Sequence, residues 1–401
     1  MKYLNLLPLK GIVQPYDWGG YHYIPDLLDE ESPEHLPQAE LWMGAHPRGM
    51  SVVTLGQETR RLDDWIASDP EGSLGKTTAA RFEGQLPFLF KVLDVRKMLS
   101  IQAHPTKEAA EAGFQRENEA GIPLSAPDRN YKDNNHKPEI MAALTDFWLL
   151  HGFRPEAEIG KVLQQVAEFN SLQDVFAERG VRGLYQYLME LPQNEVDKLL
   201  RPMSVRLEKA LDQGRLDRSQ PDYWAAQAFR DYTIGGHYDR GIFSIYLFNL
   251  VYLQPGEGIS QAANVPHAYL EGVNVELMAN SDNVFRGGLT PKHVDVHELM
   301  QHLQFEAVSP HILKGETGLP YEQVYPTPVQ DFELSRIELS SGDTFLEKEQ
   351  FGPAIYILLS GSVATEIGKL KKGAIFFSPD GARVEIKGLE QAVLFRAGVP
   401  E

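Results

Sequence analysis

Apolar and polar positions divide this chain into stretches of different period. From Phe82 to Ala103 they are dense, aromatic and β-branched: Leu86-Pro87-Phe88-Leu89-Phe90-Lys91-Val92-Leu93-Asp94-Val95 predicts a strand, and a turn over Asp94 to Lys97 leads into Met98-Leu99-Ser100-Ile101-Gln102. Alternate residues of a strand share a face, so Ser100, Gln102 and His104 are expected to line one side, the inside of a site. From about Glu156 to Leu211 the spacing becomes helical. Ile159, Val162, Leu163, Val166 and Phe169 form one stripe, Leu184, Tyr187, Leu188 and Leu191 a second, and Val196, Leu199, Leu200 and Met203 a third. These predict a helical insert whose stripes pack on each other, without chemistry of its own.

Strand signals return at Arg240, with Ile242-Phe243-Ser244-Ile245-Tyr246-Leu247, then Asn249 to Leu253, and a turn at Pro255-Gly256-Glu257-Gly258. Asp295 to Leu303 predicts a short helix, with Asp295 as N-cap and Glu298 three residues on. Phe332 to Phe395 reads as short strands parted by turns at Ser341-Gly342-Asp343, Ser360-Gly361, Lys372-Gly373, Pro379-Asp380-Gly381 and Lys387-Gly388, the pattern of an antiparallel sandwich or jelly roll.

Composition narrows the functions. A chain of 401 residues, 42% hydrophobic and 23% charged, is expected to fold into two or three domains. The closest candidate for a span, Ile245 to Leu253, is interrupted by Asn249 and far short of the roughly 20 residues a membrane span needs. The first residues carry no recognisable cleavage signal, so a cytoplasmic protein is expected. A net charge of −18 argues against nucleic acid as a partner, and makes any site for a phosphorylated small molecule a local exception. With no cysteine, a metal has to be held by His, carboxylate or amide oxygen.

Four stretches combine polar side chains with strand-like surroundings. They are Ser100-Ile-Gln102-Ala-His104-Pro105, Asn130 through His136-Lys137-Pro138-Glu139, Asn264-Val-Pro266-His267-Ala-Tyr269, and Glu276 through Asp282-Asn283-Val-Phe-Arg286 to Lys292. Each alone is as readily structural: a histidine after a strand is usually satisfied locally, and Asn-Val-Pro-His makes a good turn. Together with Tyr16-Asp17-Trp18-Gly19, Ala39-Glu40-Leu-Trp42-Met-Gly44-Ala-His46-Pro47 and Leu149 through His151-Gly152-Phe153-Arg154-Pro155, they resemble type I phosphomannose isomerase, a zinc-dependent family of the cupin superfamily. The likeness runs through residues 1 to 155 and 240 to 300, and weakly over the tail. It departs from the family at Gly20-Tyr21-His22 and at Arg48-Gly49-Met50, which bears on the rim of the site.

The resemblance implies interconversion of mannose 6-phosphate and fructose 6-phosphate. It also implies one Zn²⁺ per chain, held by Gln102, His104, Glu139 and His267. Two neutral imidazoles, an amide and one carboxylate leave such an ion with net positive charge, which suits a Lewis acid better than a structural centre. Proton transfer between C2 and C1 needs a base, for which Glu276, His136 and Lys137 are candidates, with Asp282 as a relay partner. In an extended segment Lys137 faces the same way as Glu139, and nearness to the cation is expected to lower its pKa; a plain salt bridge is the other reading. Arg286 matches the family's catalytic arginine, and Asp282 has the alternative role of orienting it. Ser100, Lys91 and Lys292 match positions suited to the phosphate. Tyr269 and Trp18 are placed at the sugar pocket, Trp18 equally well in the core.

The fold class expected is mainly β with a helical insert: two cupin-type jelly-roll barrels plus a helical domain. Residues 1–155 and 235–330 would form a discontinuous catalytic domain, 156–234 the insert, and 331–401 a C-terminal jelly roll. No histidine follows His311, so that last domain is expected to hold no metal. The partner expected is a hexose 6-phosphate, with no nucleic acid or membrane, and a monomer or weak homodimer. Two other classes remain open: a cupin that binds a sugar phosphate without turnover, as a sensor or regulatory subunit, and an iron-dependent cupin oxygenase.

Overall fold

The structure is a computed structural model that describes residues 5–31 and 36–401. It is mainly β, with a block of helices inserted between residues 156 and 231. Among the described residues no helix is long and apolar enough to cross a membrane.

The strand His267–Ala279 organises the first half of the molecule. Its downstream part pairs antiparallel with Phe88–Val95 on one side, from Gly272 opposite Val95 to Ala279 opposite Phe88, and with Glu139–Ala143 on the other. Its upstream part pairs instead with Phe147–Phe153 and, through His267 opposite Gln102, with Ile101–Ala103. The change of partner falls at Gly272, where φ is +129° and a Cβ would lie 2.6 Å from the Asp146 carbonyl oxygen. Only glycine meets both conditions, so the strand can serve two sets of neighbours there. Leu93 and Met141 pack inside this region with Phe147, Leu149, Ile259 and Tyr269.

The insert carries the helices Glu156–Gln165, Gln173–Glu190, Gln193–Asp212 and Pro221–Asp231. Their apolar stripes, including Ile159, Leu163, Leu184, Leu188, Val196 and Leu200, meet in one core. Gly241–Leu247 joins that core as a helix, where the sequence predicts a strand. All seven residues are buried, so the run lacks the alternation that separates strand from helix, and packing against the insert decides the outcome. The short helix Val296–His302 starts as expected, with Asp295 accepting from the Glu298 N–H at 3.0 Å. The Glu298 carboxylate does not close the capping box; it accepts from Arg116 at 2.7 Å and Tyr131 at 2.5 Å.

At the far end two sheets face each other over a core of Ile337, Phe345, Tyr356, Leu358, Phe376 and Leu394. One has four strands, Thr344–Glu347, Val384–Gly388, Ser362–Thr365 and Gly368–Lys371. The other does not stop at the 330/331 division. It takes in Glu316–Thr317 and Glu322–Tyr325 at one edge, and at the other Leu7–Lys10, inserted between Ile375–Ser378 and Val52–Leu55.

Candidate metal centre and its cavity

Three buried residues that open or follow strands converge. Glu139 begins Glu139–Ala143, His267 begins His267–Ala279, and His104 follows Ile101–Ala103. Their ligand atoms lie within 4.8 Å of one another, close enough to share one metal ion. The His104 Nε2 is 3.3 Å from one Glu139 oxygen, and the His267 Nε2 is 3.3 Å from the other.

The proton positions follow from what each ring touches. Nδ1 of His104 lies 2.8 Å from the Asn283 carbonyl oxygen, and Nδ1 of His267 lies 3.0 Å from that of Val265. A carbonyl oxygen only accepts, so each Nδ1 carries the hydrogen and each Nε2 presents a lone pair. Both Nε2 atoms and the Glu139 Oε2 are buried without a hydrogen-bond partner. Burial, aided by Lys137, holds the His104 pKa down at about 4, so that ring is neutral. Burial would raise the Glu139 carboxyl, but the Lys137 ammonium beside it outweighs burial and keeps it well below the ordinary range. Two lone pairs directed at a carboxylate across a dry gap suit a cation, and the set of nitrogen and oxygen donors fits zinc. The second layer of carbonyls fixes the rings as metal-binding histidines require.

Gln102 enters through strand register. It pairs with His267 on one side and Arg286 on the other, which places the three in one row of side chains. Gln102 and Arg286 both line a cavity of about 620 Å³, together with Trp18, Lys91, Ser100, Lys137, Asp282 and Lys292 from the expected set. Lys137 joins the cavity to the candidate ligands, its Nζ 3.0 Å from the Glu139 carboxylate. Arg286 has no hydrogen-bond or ion-pair partner among the described residues, and burial lowers its pKa without discharging it. The charge on Arg286 acts in turn on Lys292, whose pKa is lowered by burial first and then by Arg286 and Arg48. The cavity wall is therefore basic inside an acidic chain.

Several expected residues have other surroundings. His136 lies outside the cavity lining, with Nε2 3.0 Å from Asp331. Adjacent residues of an extended segment point to opposite sides, so if Lys137 faces in, His136 faces out. Glu276 is buried against Lys91 at 3.0 Å and is not itself part of the lining. Lys91 is shared by Glu276 and, at 3.4 Å, Glu40, which together overcome the effect of burial and raise its pKa. An ammonium flanked by two carboxylates is not a free phosphate ligand. Asp282 accepts from Arg48 at 2.7 Å and lies 3.6 Å from His46, so the arginine it orients is Arg48 rather than Arg286. Tyr269 is buried with its ring 5.3 Å from Phe147 and does not line the cavity. Trp18 combines its two expected places, at the wall and against the neighbouring core.

Tyr16, Glu40, Trp42, Arg48 and Lys132 also line the cavity without having been assigned to it from sequence. The first three fall in the matched strings Tyr16 to Gly19 and Ala39 to Pro47, which were the available signal. Arg48 belongs to a stretch where the chain departs from the family.

Comparison with known proteins supplies the family. The family profile described as Phosphomannose isomerase type I, catalytic domain, matches residues 6–156. The mannose-6-phosphate isomerase of Escherichia coli (strain K12) is 40% identical over 388 residues, covering 94% of this chain and 95% of that protein. That of Rattus norvegicus is 36% identical over 430 residues, covering 99% and 96%. The crystal structure of the Salmonella typhimurium mannose 6-phosphate isomerase bound to substrate (f6p) and zinc superposes with a TM-score of 0.88 at 35% identity, covering 99% of this chain and 100% of that one. The fold is thus of the cupin type, and the chain belongs to the type I phosphomannose isomerase family.

Proposed function

We propose that this chain is a zinc-dependent aldose–ketose isomerase that interconverts mannose 6-phosphate and fructose 6-phosphate. The observation that carries the reading is the meeting of two imidazole lone pairs with one carboxylate beside a basic cavity. His104, Glu139 and His267, with the Gln102 amide oxygen, would hold the ion. Bound there, zinc would supply positive charge beside the C1 and C2 oxygens of the open-chain sugar, lowering the cost of the negative charge that develops as the C2 proton leaves.

The remaining work falls to side chains of the cavity. Arg286, unpaired and permanently charged, faces the sugar and stabilises that same developing charge. Lys137, as the amine, takes the proton from C2 of the aldose and, as the ammonium so formed, delivers it to C1, the reverse reaction running the same steps backwards. Of the expected bases it alone lines the cavity and touches the carboxylate of the candidate metal centre. Asp282 sets Arg48 at the mouth, and Glu276 keeps Lys91 charged in the wall. Ser100 and Lys292 take the phosphate, and Trp18 packs against the sugar. The setting is read as cytoplasmic on the composition of the sequence, and the molecule as a monomer or weak homodimer.

The test is turnover. Purified protein loaded with zinc should convert mannose 6-phosphate to fructose 6-phosphate and exchange the C2 hydrogen with solvent, and the metal-free protein should do neither. Binding of the sugar phosphate without conversion would turn the assignment into that of a sensor.

A further inference from the structure

One cation of the cavity wall has surroundings that the isomerase reading leaves unused. Lys132 lines the cavity and is held by neutral acceptors only: its Nζ donates to the Leu124 carbonyl at 3.2 Å and to that of Ala126 at 2.7 Å. Among the described residues no carboxylate lies within ion-pair distance of it. The segment those carbonyls belong to also reaches the cavity, through Leu124 and Ser125. Its base is fastened separately, by Arg129 donating to the Ile122 carbonyl and, at 2.7 Å, to the Asn118 side chain.

We propose that Lys132 is a phosphate-binding residue of the isomerase, and that the carbonyls of Leu124 and Ala126 occupy its ammonium until the phosphate of the sugar replaces them. The inference rests on the isomerase reading. An ammonium makes stronger, shorter bonds to a phosphate oxygen than to a carbonyl, so the exchange is favourable when a dianion enters. Arg286 and Lys292 line the same cavity and can share that dianion. Burial lowers the Lys132 pKa first, and Arg129 and Arg286 lower it against Glu117 and Asp128, so a phosphate there relieves the repulsion between Lys132 and these arginines.

The backbone holds Lys132 at a fixed distance from the chemistry. Its N–H donates to the Asn283 side chain at 2.7 Å, and the carbonyl of the same Asn283 accepts from Nδ1 of His104 at 2.8 Å. One residue therefore positions both a candidate metal ligand and the lysine that would grip the other end of the substrate, which sets the span between the reacting carbons and the phosphate.

The experiment compares wild type with Lys132→Met, which keeps the aliphatic stem, and with Lys132→Arg, all loaded with zinc. Calorimetric titration with inorganic phosphate gives a Kd that does not depend on turnover, and steady-state kinetics give KM and kcat for mannose 6-phosphate. In Lys132→Met the phosphate Kd and the KM should both rise about tenfold or more, as loss of one charged hydrogen bond predicts, with the larger change in KM than in kcat. Lys132→Arg should recover most of the affinity, and zinc content should stay the same in all three. A phosphate Kd unchanged in Lys132→Met would overturn the proposal and leave Lys132 as a brace for the segment. Failure of the wild type to isomerise would sink the isomerase reading instead, while the titration still decided the role of Lys132.

Discussion

Nε2 of His104 and Oε1 of Glu139 face each other at 3.3 Å, and both are acceptors. The arrangement repeats at His267, so the protein holds two like-natured contacts in a dry interior, where each costs free energy until a cation enters. Metal binding and folding stability are therefore linked. Removing zinc by chelation should lower the thermal midpoint, and titrating it back should restore the midpoint with one equivalent per chain. His267→Ala should lose bound zinc and activity together, read by elemental analysis and turnover.

Arg286 acts differently. Without a structural partner to release, Arg286→Ala should keep its zinc and its melting temperature while kcat falls on the order of 10²-fold or more, as for loss of one donor to developing charge. A variant that retained full activity would remove Arg286 from the mechanism.

The buried pair of Lys91 and Glu276 predicts an energetic asymmetry. Lys91→Met leaves the Glu276 and Glu40 carboxylates in the interior without their cation, at a cost of about 3–5 kcal/mol in urea denaturation. Adding Glu276→Gln removes one of the stranded charges. The double variant should be more stable than the single one.

Stability should fall in mild acid. Burial holds His46 and His151 at about 4, below the usual value for the unfolded chain of about 6.5. Above pH 6.5 neither state takes up these protons. Between 6.5 and 4 the unfolded chain does and the folded one does not, so stability is lost as pH falls through that window. The loss amounts to about 1.4 kcal/mol per pH unit for each such histidine. Chemical denaturation of the metal-free protein at pH 7 and pH 5 should show it, and His151→Asn should reduce the drop by one histidine's share.

Much of the site could be read from the sequence because strand periodicity puts chemistry on one face. Gln102 is recognisable from the apolar approach of Phe88 to Ile101, and Lys137 from its spacing to Glu139. The same rule, carried one residue further, separates His136 from the cavity. Gly241–Leu247 resisted because burial on every side erases the alternation that would mark a strand. The links of Asp282 to Arg48 and of Lys91 to Glu40 join residues far apart in the chain, and no local pattern encodes which cation a carboxylate meets. Nothing in Leu7-Pro-Leu-Lys10 names its neighbours in the sheet either.

That last segment has a consequence for how the protein is made. Leu7–Lys10 can join Val52–Leu55 soon after both leave the ribosome, but its opposite edge waits for Ile375–Ser378, several hundred residues later in the chain. A nascent chain therefore carries an open sheet margin until that strand is made, which exposes it to mispairing with other molecules and to capture by chaperones. Deleting either Leu7–Lys10 or Ile375–Ser378 would damage the same sheet from segments far apart in the sequence.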